Sequence, residues 1–290
     1  ARSAAAAGVA VAAALAVPPA ARLLAPPSIE LHLIDVGQGD AIAIRTPAGR
    51  WVLVDAGPRS DSFDAGRALV APYLLRHGAR ELEALILTHP DADHVGGAGA
   101  VVRMLDPGVV LDPARPTGKA PYLDAVRAAE AAGSRWARAA RGAELHVDGV
   151  DLLVLAPDSS VLAAASGAND ISAVVLVRYG LFRALLMGDA PAEVELRLIA
   201  RDPAALRAAV LKVGHHGSHT STTAELLEVV RPRIALVPVG RRNRYGHPHP
   251  VVMERLRVAG ATVARTDRHG SVVVRARPDG GARIVQPPLR

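Results

Sequence analysis

The apolar positions in the first half of the chain fall into short continuous runs and then into helical spacing. Runs of Val, Ile and Leu between turn residues predict β-strands over Ile29–Val36, Ala41–Thr46, Trp51–Asp55 and Leu82–Thr88. Apolar residues at helical spacing predict helices over Asp64–His77 and Val95–Leu105. The chain thus begins with a cluster of strands and then mixes strands with helices.

The second half repeats this order loosely. The pattern predicts helices over Tyr122–Ala132, Ala192–Ala200, Thr223–Val230 and Val251–Val258. It predicts strands over Leu145–Leu155, Ile171–Tyr179, Phe182–Met187, Ala209–Val213, Ile234–Val239, Thr262–Ala264 and Ser271–Arg275, the second and third of these forming a hairpin across Gly180. Such an order predicts an α+β fold in which two sheets pack together with helices outside.

The start of the chain has a different composition. Ala4–Val17 is an uninterrupted apolar run, and Pro18–Pro27 holds four prolines that separate it from the first strand. A membrane-spanning helix needs about 20 apolar residues. The run therefore fits the end of a transmembrane helix, the hydrophobic region of a signal peptide, or an Ala-rich linker. The first two interpretations place the following domain beside a membrane and outside the cytoplasm.

Composition limits the chemistry that the chain can perform. Half of the 290 residues are apolar and 21% are charged, which predicts a folded chain with a sizeable core. The sequence contains no cysteine, so disulfides, thiolate zinc sites and cysteine nucleophiles are excluded. Any metal ion must be held by His, Asp or Glu.

The net charge suggests a polyanionic partner. The formal charge is +6 and the pI is about 10.4, as for a protein that binds nucleic acid or an acidic membrane surface. Only Lys119 and Lys212 among the 34 basic residues are lysines, however, and the arginine bias of a GC-rich genome would give the same charge. Charge alone leaves both interpretations open.

Four potential metal ligands lie within six residues, directly after the predicted strand Leu82–Thr88. The segment reads His89-Pro90-Asp91-Ala92-Asp93-His94, and a loop at the end of a strand can bring such side chains around one point. A solvated turn would explain Pro90 and the aspartates. It does not require two histidines and two aspartates at this spacing, so we interpret the segment as a metal site.

This segment resembles the H-x-H-x-D-H signature of the metallo-β-lactamase superfamily, with Asp91 in place of the second histidine. Other pieces follow in the order of that superfamily. Asp55 ends a strand upstream, Asp189 closes a strand downstream, and histidines follow in Lys212-Val213-Gly214-His215-His216-Gly217-Ser218 and in Tyr245-Gly246-His247-Pro248-His249. The resemblance implies an αββα four-layer sandwich, the metallo-β-lactamase fold.

Further motifs narrow the resemblance to the C-terminal domain of the ComEC competence family. They are Asp35-Val36-Gly37-Gln38-Gly39-Asp40, the His89–His94 segment, Asn169-Asp170-Ile171-Ser172, Gly188-Asp189, Lys212–Ser218 and Tyr245–Pro248, and they span about residues 28–275. The resemblance implies that residues 1–27 are the end of a membrane segment with a Pro-rich linker, and that residues 28–290 form the hydrolase domain. It places this domain on the extracytoplasmic face of the cell membrane.

The same resemblance implies a role in DNA uptake. ComEC proteins import single-stranded DNA during natural transformation, and the domain is thought to degrade the strand that is not imported. The expected partners are DNA, the membrane channel domain upstream in the same protein, and other DNA-uptake proteins.

The implied centre holds two divalent ions about 3.5–4 Å apart. One ion would use His89 and Asp91, the other Asp93 and His94, with Asp189 between them. His215 is expected to be the remaining ligand, with His247 as the alternative. Asp91 and Asn169 each stand where the superfamily has a histidine. Oxygen-rich sites favour harder ions, so we expect manganese, with zinc as the alternative.

Roles for the remaining residues follow from the same motifs. Lys212, a lysine in an arginine-rich chain, is expected to place a compact ammonium near a phosphate or the departing oxygen. Asp93 and Asn169 join it as expected catalytic residues. The expected substrate-binding residues are His216, Ser218 and His247, and the residues expected to shape the surroundings are Asp35, Gln38, Asp40 and Asp55.

Three functions fit these residues. The first is a metal-dependent phosphodiesterase that degrades DNA during uptake. The second is a hydrolase of small or cell-wall phosphoesters. The third is a catalytically weak module that guides DNA. The complete set of potential metal ligands argues against this third function.

Overall fold

Two β-sheets face each other and helices cover the outer side of each, over the residues 27–285 that the computed structural model describes. The apolar run predicted over Ala4–Val17 lies outside the described residues. Within residues 27–285, none of the helices has the length and apolar character that a membrane crossing requires.

The first sheet has eight strands in the order β15-β14-β1-β2-β3-β4-β5-β6. Strands β1 to β3 pair antiparallel, and β3 to β6 pair parallel. The strands are β1 (Ile29–Leu33), β2 (Ile42–Arg45), β3 (Trp51–Val54), β4 (Ala84–Ile86), β5 (Val109–Asp112), β6 (Arg135–Arg138), β14 (Val272–Ala276) and β15 (Ala282–Val285).

The second sheet has seven strands in the order β13-β12-β11-β10-β9-β8-β7. It repeats the plan of the first sheet, because β7 to β10 pair antiparallel and β10 to β13 pair parallel. The strands are β7 (Glu144–Val147), β8 (Val150–Ala156), β9 (Val174–Tyr179), β10 (Phe182–Leu186), β11 (Val210–Lys212), β12 (Ile234–Val237) and β13 (Thr262–Arg265).

Helices cover the outer face of each sheet. They are α1 (Ala71–Arg76), α2 (Ala92–Val95), α3 (Ala98–Leu105), α4 (Ala120–Ala132), α5 (Ser159–Ala164), α6 (Ala192–Arg201), α7 (Ala224–Val230), α8 (Pro250–Val258) and α9 (Thr266–His269). One apolar core lies between the two sheets. A second core lies beneath α1, α3 and α4, and a third beneath α6, α7 and α8. The four-layer αββα arrangement expected from the sequence is confirmed.

Two features of the predicted elements are wrong. The single strand predicted over Leu145–Leu155 is the hairpin of β7 and β8, which turns at Asp148 and Gly149, both with positive φ. The sequence pattern also missed β5, β6 and the edge strand β15. Strand β6 lies at the sheet edge, where two of its four residues are exposed arginines, so it has no continuous apolar run to reveal it.

The carboxyl ends of the parallel strands from both sheets meet at one edge of the sandwich. Asp55 and Thr88 follow β3 and β4 of the first sheet, while Asp189 follows β10 of the second. The sheets are joined at this edge because the amide of Ala173 donates to the carbonyl of Thr88 at 2.8 Å. Side chains at the strand ends can therefore converge between the sheets.

Close backbone contacts fix the helix that follows the metal-ligand segment. Gly97 precedes α3, and its amide donates to the carbonyl of Gly57 at 3.1 Å. A Cβ atom on Gly97 would lie 2.3 Å from the carbonyl oxygen of Ala56, and one on Gly66 would lie 2.0 Å from that of Gly97. Only glycine allows these segments to approach so closely.

We expect Gly97→Ala to lower the free energy of unfolding by about 1–3 kcal/mol, because the added methyl group must push backbone atoms apart. Urea denaturation followed by circular dichroism would measure this change. Gly118→Ala is the matched control, since no heavy atom lies within 4 Å of its added Cβ. Equal denaturation midpoints for the two variants would contradict the packing role of Gly97.

Candidate metal centre

The segment from His89 to His94 turns two histidines inward and two aspartates outward. Helix α2 begins after Asp91, whose carbonyl accepts from the amides of His94 and Val95 at 3.0 and 2.9 Å. The side chains of His89 and His94 are fully buried, whereas those of Asp91 and Asp93 are about one-third exposed. The segment therefore lines a site that is closed on the histidine side and open on the aspartate side.

Asp189 lies at the centre of the histidines. Its Oδ2 atom is 3.3 Å from Nε2 of His94, 3.5 Å from that of His216, 3.7 Å from that of His215 and 4.0 Å from that of His89. The carboxylate comes from the second sheet, and His89 and His94 come from the first. The fold thus brings together ligands that are far apart in the sequence.

Four buried imidazole nitrogens have no hydrogen-bond partner within the described residues; one is Nδ1 of His247, and the other three face Asp189. These three are the Nε2 atoms of His89, His94 and His216. Carboxylate oxygens lie within 4 Å of them, but none is placed to accept a hydrogen bond. Buried polar atoms are nearly always satisfied, so nitrogens that face one carboxylate in this way are typical of metal ligands.

The opposite nitrogen of two of these rings has a partner that holds it. Asp55 lies 2.8 Å from Nδ1 of His94 and also accepts from the amide and hydroxyl of Thr88 at 2.8 and 2.7 Å. Nδ1 of His216 forms a hydrogen bond of 3.2 Å with the carbonyl of Pro238, and the Asp40 carboxylate lies 3.1 Å from the same nitrogen. Metal-binding histidines commonly have such a partner, which orients the ring and makes it a better ligand.

Donor atoms form two sets that share Asp189. In the inner set, Asp93 Oδ2 lies 3.3 Å from Nε2 of His216, and the Nε2 atoms of His216 and His94 both face Oδ2 of Asp189. In the outer set, Asp91 Oδ2 lies 3.7 Å from Nε2 of His89, again beside Asp189. The inner set therefore has four side chains, from Asp93, His94, Asp189 and His216. The outer set has three, from His89, Asp91 and Asp189.

Asp40 also lies close to this group. One donor atom each from Asp40, His94, Asp189 and His216 lie within 4.8 Å of one another. Asp40, however, approaches His94 and His216 from their Nδ1 sides, at 3.9 and 3.1 Å, while Asp189 faces their Nε2 atoms. Asp93 is therefore the better fourth member of the inner set, and Asp40 supports the rings from behind.

The buried carboxylates of the site are offset by neighbouring positive charges. Burial opposes ionisation of the Asp189 carboxyl, but His94, His216 and Lys212 hold its pKa well below its usual range. Burial likewise opposes protonation of His216, yet Asp189 and Asp40 raise its pKa to about 9. Burial, with His94 beside it, lowers the pKa of His89 to about 4. A divalent cation would replace the protons of His94 and His216 as the charge that offsets the carboxylates.

Lys212 lies inside this network. Its side chain is fully buried, its ammonium contacts Asp40 and donates to the carbonyl of Gly188 at 2.7 Å, and it lies 3.7 Å from Asp189 Oδ1. Burial opposes its charge, but Asp40 and Asp189 raise its pKa. The geometry does not support the expected contact with a substrate phosphate. Losing one member of a buried ion pair costs about 3–5 kcal/mol, so Lys212 stabilises Asp40 and Asp189.

His215 and His216 point in different directions because of an unusual backbone turn. Both have left-handed φ values, 48° and 53°, in the turn Gly214–Gly217 that follows β11. This conformation costs about 1–2 kcal/mol for each non-glycine residue. The His216 side chain is 2% exposed and that of His215 is 29% exposed. The sequence favoured His215 as the ligand, whereas this geometry favours His216.

The remaining predicted residues line the open side or shape the surrounding loops. Nδ2 of Asn169 lies 3.5 Å from Nδ1 of His215, and the rings of His215 and His247 are 5.6 Å apart, so these three form a wall beside the outer set. Burial, with His215 and His216 nearby, lowers the pKa of His247 to about 4. Ser218 is buried, with its hydroxyl 3.0 Å from that of Thr220.

Asp35 and Gln38 do not reach the donor sets. The Asp35 carboxylate accepts from the amide of Gly37 at 3.1 Å, and the Gln38 side-chain oxygen accepts from the amide of Gly240 at 3.2 Å. Both residues hold the turn that leads to Asp40.

Sequence reasoning missed Lys119. Its ammonium contacts Asp91 Oδ1, at the rim of the outer set. The signal was present, because Lys119 is the other lysine of this arginine-rich chain. The same argument that singled out Lys212 would have found it.

We expect His216→Gln to weaken Mn²⁺ binding by at least about 100-fold. Losing a residue that only orients a metal ligand already costs up to about 100-fold in metal affinity, and losing a ligand should cost at least as much. Isothermal titration of chelator-treated protein would measure the affinity. His215→Gln is the matched control and should remain close to the unsubstituted protein. A larger loss for His215→Gln would support the original assignment of His215.

Comparisons with known proteins agree with this architecture. The sequence model of the Metallo-beta-lactamase superfamily matches residues 34–241. ComE operon protein 3 of Bacillus subtilis is 31% identical over 89% of this chain and 34% of its own length. Recombination protein 2 of Haemophilus influenzae is 36% identical over 87% of this chain and 29% of its own length. The chain thus spans about a third of the curated relatives that it matches.

Solved structures share the fold at low sequence identity. The metallo-beta-lactamase fold protein YhfI from Bacillus subtilis superposes with a TM-score of 0.57 and 10% identity, over 86% of this chain and all of that protein. At this sequence identity, the superposition shows a shared fold and nothing about function.

Proposed function

Because the chain belongs to the Metallo-beta-lactamase superfamily, we propose that it is a metal-dependent phosphodiesterase that degrades DNA during uptake. The observation that carries the proposal is the group of three buried, unpaired Nε2 atoms, from His89, His94 and His216, around the Asp189 carboxylate. The names of the curated relatives, among them Competence protein ComA of Neisseria gonorrhoeae, support DNA as the substrate.

The donor chemistry fits two divalent ions. The inner set would hold one ion through two nitrogens and two carboxylates, and the outer set would hold another through His89, Asp91 and Asp189. We propose manganese as the natural ion, with zinc as the alternative, because three carboxylates contribute oxygen donors. Divalent ions in such a site lower the pKa of a water molecule and offset the charge that develops on a phosphodiester.

Residues of the open side would position the substrate. Asp93 is the most exposed ligand of the inner set, so it borders the space that a phosphodiester would enter. Asn169, His215 and His247 form the adjacent wall and can donate hydrogen bonds to phosphate oxygens. Lys212 holds Asp40 and Asp189 in place from beneath.

A basic loop beside this wall favours a polynucleotide over a small ester. Arg241, Arg242 and Arg244 are exposed in the segment before His247. Tyr245 is 70% exposed, and its ring lies parallel to that of His247 at 5.8 Å. Arginines bind backbone phosphates, and an exposed aromatic ring stacks on an unpaired base. This loop therefore suits a single strand lying across the centre.

We also propose the cellular setting from the relatives. They are about three times as long as the aligned part of this chain, so residues 28–290 would act as a domain of a larger protein. In this proposal the domain lies on the extracytoplasmic face of the membrane, next to a channel domain of the same protein and other DNA-uptake proteins.

We expect the purified protein to degrade linear DNA with Mn²⁺, and Asp93→Asn to slow this by at least about 100-fold because a ligand of the inner set is weakened. Gel electrophoresis of end-labelled DNA would measure the rate, with Asp279→Asn, a change at an exposed ion pair, as control. Intact DNA with cleavage of bis-p-nitrophenyl phosphate would instead favour a small-ester hydrolase. Salt-sensitive DNA binding without any cleavage would favour a guiding module.

We expect Tyr245→Leu to raise the KM for single-stranded DNA by about 5- to 150-fold, which corresponds to the loss of one stacked base at about 1–3 kcal/mol. Tyr245→Phe should retain the stacking and the KM. Initial rates on an oligonucleotide and on bis-p-nitrophenyl phosphate would be compared. An equal loss on both substrates would contradict a stacking role, because the small ester has no base in that position.

A further inference from the structure

Both lysines of the chain contact carboxylates of the candidate centre, although they come from different sheets and differ in exposure. Lys212 is fully buried beside Asp40. Lys119 precedes helix α4, its side chain is 49% exposed, and its ammonium contacts Asp91 Oδ1. In a chain with 34 basic residues, this placement of the two lysines calls for a physical explanation.

The contact with Lys119 affects only one of the two donor sets. Asp91 belongs to the outer set, where its other oxygen lies 3.7 Å from the buried, unpaired Nε2 of His89. Asp93, the corresponding carboxylate of the inner set, lies beside the His216 ring and forms no lysine contact within the described residues. An ion that approaches the outer set therefore meets a ligand that already carries a cation.

The outer set is also poorer in donors. It comprises His89, Asp91 and Asp189, whereas the inner set has four side chains. Asn169 could have added an oxygen, but its closest polar contact is to Nδ1 of His215, through its amide nitrogen at 3.5 Å. Fewer donors and a competing ammonium both weaken binding of a second ion.

Electrostatics gives the direction of the effect of Lys119. An ammonium on Asp91 repels a divalent ion at the same carboxylate, and at close range this repulsion is strong even near a protein surface. The ion must displace the ammonium from Oδ1 or bind against its charge. Lys212 lies 3.7 Å from Asp189 Oδ1, but Asp189 belongs to both sets, so the charge of Lys212 does not distinguish the outer set from the inner one.

We propose that the two donor sets bind metal ions one after the other as the ion concentration rises. Lys119 sets the difference between the two concentrations. The inner set, Asp93, His94, Asp189 and His216, takes the first ion. The outer set takes the second ion at a higher concentration, because Lys119 competes with that ion for Asp91. This inference rests on the proposed function, since it requires that both sets bind divalent ions.

Titration of the purified, chelator-treated 290-residue chain with Mn²⁺ tests this order. Electron paramagnetic resonance of the unbound ion counts the sites and their affinities without any activity measurement. We expect one tight and one weak site. Lys119→Met should tighten the weak site by about tenfold and leave the tight site within about twofold. Lys119→Arg retains the charge and should keep the second site weak.

Two further variants test whether the effect is specific to Lys119 and whether Asp91 belongs to the weak site. Arg257→Met is the matched control, because Arg257 is an exposed cation paired with one acid, Glu254, on helix α8. It should leave both affinities unchanged. Asp91→Asn should weaken only the second site, and loss of the tight site in this variant would overturn the order of filling.

The outcomes for Lys119 and for the metal sites are distinguishable. Two sites of equal affinity in the unsubstituted protein, or no tightening in Lys119→Met, would overturn this inference and leave the proposed function standing. If no Mn²⁺ or Zn²⁺ binds at all, the proposed function fails, and this inference fails with it.

Discussion

The ionised carboxylate of Asp189 is the charge on which the rest of the site depends. It is buried between two sheets, where an isolated carboxylate would be very unfavourable, so the structure must surround it with positive charge. Lys212 provides a permanent cation on one side, and the rings of His94 and His216 face it on the other. The His94 ring is in turn oriented by Asp55, and the His216 ring by the carbonyl of Pro238 with Asp40 beside it. A divalent ion fits this arrangement because it would offset the same charge more completely than protons do.

The sandwich can hold such a group only because both sheets end at the same edge. His89, His94 and Asp55 come from the strand ends of the first sheet, and Asp189 and Lys212 from those of the second. Each half of the chain alone provides an incomplete set of ligands. The backbone hydrogen bond from Ala173 to Thr88 joins the two halves, and the glycine contacts around Gly97 fix the segment after His94 within the first half. The core between the sheets therefore stabilises the fold and also fixes the distances within the centre.

Changes to a shared architecture give this chain its particular chemistry. Asp91 and Asn169 replace imidazoles that the superfamily pattern would place there, so the outer donor set has fewer nitrogens and carries a lysine contact. The open side continues into the exposed arginines and Tyr245, next to His247. The four-residue inner set, the three-residue outer set and the basic aromatic loop are the features from which we propose a long, negatively charged strand as the substrate.

The sequence by itself predicted the layers, which the fold confirms, and the relationship to the competence family, which the comparisons confirm; the metal-ligand role of His89–His94 stays a prediction. It could do so because apolar periodicity and closely spaced ligands are local features. It missed β6 and β15, since edge strands such as Arg135–Arg138 have little apolar signal, and it missed β5, in which only Val109, Val110 and Leu111 are apolar. It also favoured His215 as the ligand, because two adjacent histidines look alike in a sequence. Both lie within 4 Å of Asp189, and only the tertiary structure shows that His216 is the buried one and His215 the partly exposed one, through a turn in which both residues have left-handed φ values. The contact of Lys119 with Asp91 likewise joins residues that are 28 positions apart in the chain. No local pattern in the sequence shows that they are close in space.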